Sequence, residues 1–191
     1  MRVIRSSEYR RMRWKNGQGE TAEIAISPSV ATVDNFDWRI SMARIEASGP
    51  FSRFPGVDRT LTVVTGSGLE LAVAGRQPVT LFAGSAPYPF HGDSAAYATL
   101  HAGAVTDLNV MTQRTGYSHR VRRLTAAGTT ALGASAAATV LACGDGVRLR
   151  IDGVPAELGV FDSVVAEPSA ATLDILAAGE GGLILVEIGR A

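Results

Sequence analysis

An arginine at the head of an apolar alternation calls for an anion, and the run Gly49-Pro50-Phe51-Ser52-Arg53-Phe54-Pro55-Gly56-Val57-Asp58-Arg59 delivers one to the stretch Thr60 to Gly68. Leu61 and Val63 follow at alternate positions, so a strand starting at Arg59 turns the guanidinium to the same face as two apolar side chains. A buried guanidinium needs a negative partner. Either an internal carboxylate such as Asp58 or Glu23 supplies it, or a ligand carboxylate docks bidentately on the planar fork of donors. Two Gly and two Pro restrict the preceding loop without a helix. Its aromatics, Phe51 and Phe54, either wall a planar ligand or pin the loop.

Other polar residues stand where they can join such a site. Phe36 to Ile45 alternates, with Arg39, Ser41 and Ala43 on one face and Trp38, Ile40 and Met42 on the other, so Arg39 and Ser41 form a candidate pocket wall. Lys15 and Asn16 lie in the Gly-flanked break Trp14 to Gly19, as rim contacts or as turn residues. Glu23 shares a face with Thr21 and is either a ligand contact or the partner of an arginine. Asp107, Asn109, Met111 and Gln113 line one face of a strand whose other face is Leu108, Val110 and Thr112. In a closed sheet the apolar set belongs inside, so the polar set with Asn109 faces solvent or lines a wet pocket. His91 hydrogen-bonds a ligand or closes an internal network.

Catalytic chemistry finds little support. The three histidines, His91, His101 and His119, are never two residues apart, and Cys143 is the single cysteine, so neither a histidine-rich metal site nor a thiolate cluster nor a disulfide framework is available within one chain. No nucleophile elbow, phosphate-binding loop or dinucleotide fingerprint occurs; Gly66-Ser67-Gly68 and Gly179-Glu180-Gly181-Gly182 both precede strands and read as turns. Glu23, Asp58, Asp93 and Asp107 are the carboxylates from which an acid/base pair would be drawn, yet carboxylates at turns usually accept from backbone amides. The expectation is no catalytic residue, no metal and no cofactor.

The elements that must position these residues are strands. Gly is spread through the chain as 21 turn positions between short apolar segments, and 46% of the 191 residues are hydrophobic, enough for a sizeable core. Strand-length segments run from Glu20 to Ser27, Arg59 to Thr65, Leu69 to Ala74, Pro78 to Phe82, Ala96 to His101 and Val105 to Thr112. A strand and a short helical turn near Ser6 to Tyr9, with Ser6 as its cap, open the chain. Tyr117 to Ala138 reads as a hinge, strand-like only from His119 to Thr125. Lys+Arg and Asp+Glu both count 18, which argues against a nucleic-acid partner. The first eight residues lack a signal-peptide apolar stretch, and no run approaches the ~18 apolar residues of a membrane span, so the expectation is no membrane partner and a cytoplasmic location.

The second half repeats the first. Thr62 to Gly75 lines up with Thr139 to Gly153, and the match continues from Pro78 to Pro155 and from Leu81 to Leu158. A closing strand at Leu183 to Ile188 answers Asp107 to Thr112. This organisation resembles the cupin superfamily in its two-barrel form: all-β, a bicupin of two barrels or sandwiches from an internal duplication, over residues 1–116 and 117–191, with an N-terminal strand available to the second barrel. The position before the second-half strand falls in the Ala-rich run Ala134 to Ala138, without the arginine or the Pro-Gly loop of the first.

A narrower resemblance lies in five blocks: Trp14-Lys15-Asn16-Gly17 with Thr21-x-Glu23-Ile24, Asp37-Trp38-Arg39-Ile40-Ser41, the Gly49 to Arg59 loop, Phe90-x-Gly92-Asp93, and Asp107-Leu108-Asn109-Val110-Met111. Together they resemble the HutD/Ves family. That resemblance implies a homodimer and a non-enzymatic protein that senses or buffers a histidine-utilisation intermediate, urocanate or formylglutamate, a small carboxylate or imidazole-containing ligand. A metal-independent enzyme acting on a similar acid, or a Ves-type stress-response protein with an interaction role, is the alternative. Metal-binding cupins carry a His-x-His pair and a carboxylate on one strand and a further His on a later one; here the strand from Arg59 offers Leu61, Val63 and Thr65 instead.

Overall fold

The computed structural model describes residues 1–133, 137–166 and 171–191, and nearly every element in them is a strand. The chain opens with β1 (Arg2–Ile4) and a 3-10 turn (Ser6–Glu8). Arg5, not Ser6, takes the N-cap position of that turn, its backbone N–H donating to Glu8 Oε2 at 2.6 Å while the Ser6 N–H donates to Asp162 Oδ1 at 2.8 Å. Then come β2 (Arg10–Arg13), β3 (Gly19–Ser27), β4 (Trp38–Ile45), β5 (Gly49–Pro50), β6 (Val57–Thr65), β7 (Leu69–Val73), β8 (Val79–Leu81), β9 (Tyr88–His91), β10 (Ala96–Leu100) and β11 (Val105–Gln113). The remainder is β12 (Tyr117–Leu124), β13 (Gly128–Leu132), β14 (Ala137–Ala142), β15 (Val147–Ile151), β16 (Val154–Leu158), β17 (Ser163–Ala166), β18 (Ala171–Ala178) and β19 (Leu183–Arg190). No helix among the described residues is long and apolar enough to cross a membrane.

Two compact units divide the chain. One runs from Arg10 to Tyr117, the other joins Met1–Tyr9 to Ser118–Ala191. In the Arg10–Tyr117 unit a six-stranded antiparallel sheet, β2-β3-β4-β11-β6-β9, accompanies a four-stranded one, β5-β10-β7-β8. Leu61 and Val63 of β6, Ala43 and Ile45 of β4, and Val105 of β11 pack with Leu69, Leu71, Val73, Leu81, Ala96 and Ala98 of the smaller sheet in one apolar cluster. Each fully buried Leu or Val of such a cluster is worth about 1.5–3 kcal/mol relative to exposure. The other unit holds a five-stranded sheet, β1-β17-β14-β19-β12, and a four-stranded one, β13-β18-β15-β16, around its own cluster of Val140, Leu149, Val164, Leu173 and Leu185.

Strand chemistry explains these faces. β15 reads Val-Arg-Leu-Arg-Ile, and its three aliphatic residues are buried while both arginines are exposed, the period-2 signature of a sheet with one wet side. β6 and β11 are covered on both faces instead, so the polar set Asp107, Asn109 and Met111 does not face solvent. The Tyr117 to Ala138 stretch, expected to be a hinge with a strand-like part from His119 to Thr125, starts at the boundary between the two units and is largely strand in its described part. β12 and β13 occupy most of it as sheet edges, where half-buried alternation weakens the sequence signal; residues 134–136 of the Ala-rich run lie outside the described residues.

Candidate functional site

Register decides what meets Arg59. It is the third residue of β6, not the first, because Val57 and Asp58 already pair with β11 through Gln113 and Thr112. Met111 of β11 sits opposite Arg59 on one side and Arg39 of β4 on the other, and two residues along, Asn109 lies between Leu61 and Ser41. Period 2 then puts Arg59, Asn109, Met111, Arg39 and Ser41 on one face of three adjacent strands. All five line a cavity of about 640 Å³ in the Arg10–Tyr117 unit.

Arg59 is 5% exposed. Its Nη1 donates to the Ser52 carbonyl at 3.1 Å and its Nη2 to Asn109 Oδ1 at 2.8 Å, while Nε has no partner. Among the described residues no carboxylate pairs with it directly. Three rings surround the guanidinium carbon, Phe51 at 5.2 Å, Phe54 at 5.5 Å and Phe90 at 5.1 Å to their centroids, within cation–π range. Burial pulls the group down to about 10, Asp107 opposing the shift and Arg39 adding to it, so it remains a cation at neutral pH. The expected internal counter-ions are elsewhere: Asp58 turns to the opposite face of β6, and Glu23 belongs to Arg39. The carboxylate that acts on Arg59 is Asp107, fully buried and linked through Asn109, whose Nδ2 donates to Asp107 Oδ1 at 2.8 Å. Sequence spacing showed Asp107 and Asn109 on one face; only the β6–β11 register brings that face to Arg59.

Arg39 is paired through its Nε, which donates to Glu23 Oε2 at 2.8 Å with both side chains nearly enclosed. Glu23 is not among the described residues that line the cavity, and its recorded partner is Arg39. Lys15 and Asn16 reach the cavity from the hairpin between β2 and β3, where Trp14 N–H donates to the Gly19 carbonyl at 3.0 Å. Asn16 is partly spent on that turn, its Oδ1 accepting from the Gln18 N–H and its Nδ2 donating to Gln18 Oε1, both at 3.1 Å. Trp14 lines the cavity too, with its indole N–H on Thr21 Oγ1 at 2.9 Å. Among the described lining residues four are cations, Arg13, Lys15, Arg39 and Arg59, and none is Asp or Glu.

His91 does not join this site. Opposite Asp58 across β6 and β9, it lies in an exposed cluster: its Nδ1 is 2.8 Å from Asp58 Oδ1, and Arg114 donates to Asp58 Oδ1 at 2.9 Å and to Asp93 Oδ2 at 2.8 Å. The cluster's effect is to anchor the loop before β6. Asp93 Oδ1 accepts from the Gly56 N–H at 3.0 Å, Phe54 N–H donates to the Gly92 carbonyl at 2.8 Å, and Gly92 N–H to the Val57 carbonyl at 2.7 Å. Gly92 is required by this close approach, since a Cβ there would stand 2.8 Å from the Phe54 carbonyl oxygen. The Gly56 amide and Arg114 hold the Asp93 carboxyl down at about 2. Phe51, Ser52 and Phe54 are thereby fixed around Arg59. No group of three or more His, Cys, Asp or Glu side chains among the described residues is placed to hold a metal ion.

An all-β chain with its polar cavity against one sheet has cupins among its structural neighbours: a cupin 2 conserved barrel domain protein from Leptotrichia buccalis superposes with a TM-score of 0.56 at 10% identity, covering 100% of this chain and 98% of that one. The family is narrower than the fold. The HutD family model matches residues 6–185, and the chain belongs to the HutD family. An uncharacterised 21.2 kDa protein in the hutC 3' region of Pseudomonas putida is 34% identical over 190 residues, 98% of this chain and 97% of that protein. The structure of HutD from Pseudomonas fluorescens SBW25 superposes with a TM-score of 0.84 at 28% identity, covering 100% of this chain and 98% of that one.

Proposed function

We propose that the protein is a non-enzymatic binder of a small carboxylate, held on Arg59 within the cavity of the Arg10–Tyr117 unit. The observation that carries this is the buried guanidinium of Arg59, bound by one carbonyl and one amide oxygen and by no carboxylate among the described residues. Such a fork retains donors for an anion, and the desolvated, ring-walled surroundings strengthen any pair it makes. The described lining residues carry cations and neutral polar groups, a set suited to holding an anion. Ser41 and Asn109 supply neutral polar contacts, and Phe51 and Phe54 the walls for a planar or extended body.

The relative encoded near hutC and the HutD family name support a ligand from histidine utilisation, urocanate or formylglutamate, with a sensing or buffering role. The common strand order of the two units supports an origin by duplication in the bicupin manner: β4-β11-β6-β9 corresponds to β12-β19-β14-β17, and β5-β10-β7-β8 to β13-β18-β15-β16. Calorimetry with both acids on wild type and Arg59→Ala tests the site. Loss of the charge-assisted pair should weaken binding by about 2–5 kcal/mol. Equal affinity of the variant would remove Arg59 from the site, and consumption of either acid by purified protein would make it an enzyme.

A further inference from the structure

Asp107 has no assigned role in anchoring the ligand, yet it is the carboxylate buried closest in the hydrogen-bond chain to the anchor. It lies on β11 opposite Ala43 of β4 and Val63 of β6, with no measurable exposure. Oδ1 accepts from Asn109 Nδ2 at 2.8 Å and the Ala43 backbone amide also acts on the carboxylate, while Oδ2 lacks a hydrogen bond of ordinary geometry. Asn109 Oδ1 in turn accepts from Arg59 Nη2 at 2.8 Å. The amide therefore turns its oxygen to the cation and its NH₂ to the carboxylate, the orientation that an ionised Asp107 and a charged Arg59 together hold in place.

We propose that Asp107 is the internal counter-ion of Arg59, and that a carboxylate ligand docking on Arg59 is taken up together with one proton, which Asp107 receives. This rests on Arg59 being the ligand anchor. An ionised Asp107 is tolerated inside the sheet because the field of Arg59 offsets part of its desolvation. A second anion on the guanidinium cancels that field and adds a repulsion across low-dielectric space, so the carboxylate takes a proton from solvent. The surrounding charges do not substitute for Arg59: Arg39 on β4, paired with Glu23 on β3 at 2.8 Å, bears on Arg59 but is not among the groups that shift Asp107, where the Ala43 backbone amide and Asn109 assist Arg59, and the facing sheet contributes Leu69, Leu71, Val73, Ala96 and Ala98 to the shared core. Burial lifts the Asp107 carboxyl to about 7 against the pull of Arg59, the Ala43 amide and Asn109, so a change at Arg59 bears on a carboxyl already raised. Site and proton are then linked reciprocally, with affinity falling by up to about tenfold per pH unit above neutrality.

Two measurements test it. In the free protein, the side-chain carboxyl carbon of Asp107 is titrated by NMR in wild type and Arg59→Gln; the midpoint should rise when the cation is removed. Calorimetry of formylglutamate and urocanate at about pH 8, in buffers of different ionisation enthalpy, should then show proton uptake approaching one per ligand in wild type and none in Asp107→Asn. An Asp107 midpoint indifferent to Arg59→Gln, or binding with no net proton uptake, overturns the linkage while leaving the anchor intact. If neither acid binds wild type, or both bind Arg59→Ala as well as wild type, the anchor itself fails and the linkage with it. Should Asp107→Asn not fold, the buffer comparison on wild type decides alone.

Discussion

Arg59 and Arg39 flank the same methionine, Met111, from neighbouring strands, yet their environments give them different work. Arg39 has its carboxylate at 2.8 Å and is a closed pair, whereas Arg59 reaches one only through an amide. Breaking the closed pair should be felt in stability. Glu23→Gln leaves a guanidinium enclosed without its counter-ion and is expected to lower the unfolding free energy by about 3–5 kcal/mol, read by urea denaturation. Arg59→Lys keeps the charge and loses the planar fork, so it should retain the fold and bind either carboxylate at least tenfold more weakly than wild type, read by calorimetry. The direction of Arg59 was legible from Leu61 and Val63 two and four residues on. Its counter-ion was not, because Asp107 is 48 positions away in sequence and only strand register selects it over the adjacent Asp58.

The loop from Gly49 to Gly56 is the element that turns a buried arginine into a lined cavity. Its Pro and Gly content marked it as rigid, but rigidity here comes from partners far along the chain: Gly92, Asp93 and, through Asp93, Arg114. Those contacts join segments that no local pattern connects, which is why the sequence left His91 open between a ligand contact and an internal network; it lies in the outer cluster with Asp58 and Arg114. Gly92→Ala should push Phe54 away and weaken ligand binding with only a small loss of global stability, measured by calorimetry beside thermal unfolding. The Asp93 carboxyl, held at about 2, is ionised over the ordinary range, so the Gly56 tether is complete above about pH 4 and is lost as pH falls through about 2. Amide exchange at Gly56 should accelerate across that acid window in wild type and already be fast at neutral pH in Asp93→Ala.

Across the whole molecule the two units share an order of four strands in each of their sheets, with β2 and β3 added in one and β1 in the other, and most strands were visible as alternating segments between glycines. The short pieces β5 and β9 escaped because Pro50 and Pro89 break the pattern, and β13 because an edge strand is only half buried, whereas β12 was legible from His119 to Thr125. Stability against pH follows from the carboxylates taken together. Asp58, Asp93 and Asp162 have lowered values, burial opposing the shift in Asp58 and Asp162 while hydrogen bonds from His91, Arg114 and Arg5 win; they stabilise above about pH 4 and lose that as pH falls. Asp107 is raised, so its contribution is complete below the unfolded carboxylate value and is lost as pH rises through about 7. Wild type should therefore be most stable near pH 5 and lose thermal stability towards pH 8, a decline absent from Asp107→Asn; a flat profile in wild type would remove Asp107 from the balance.

All of this turns on where the ligand carboxylate goes. A crystal structure of the protein soaked with formylglutamate or urocanate is predicted to place carboxylate oxygens about 2.7–2.9 Å from the guanidinium nitrogens of Arg59, between Phe51 and Phe54. Clear density for either acid elsewhere on the molecule, with Arg59 still bound only to Ser52 and Asn109, would contradict the account.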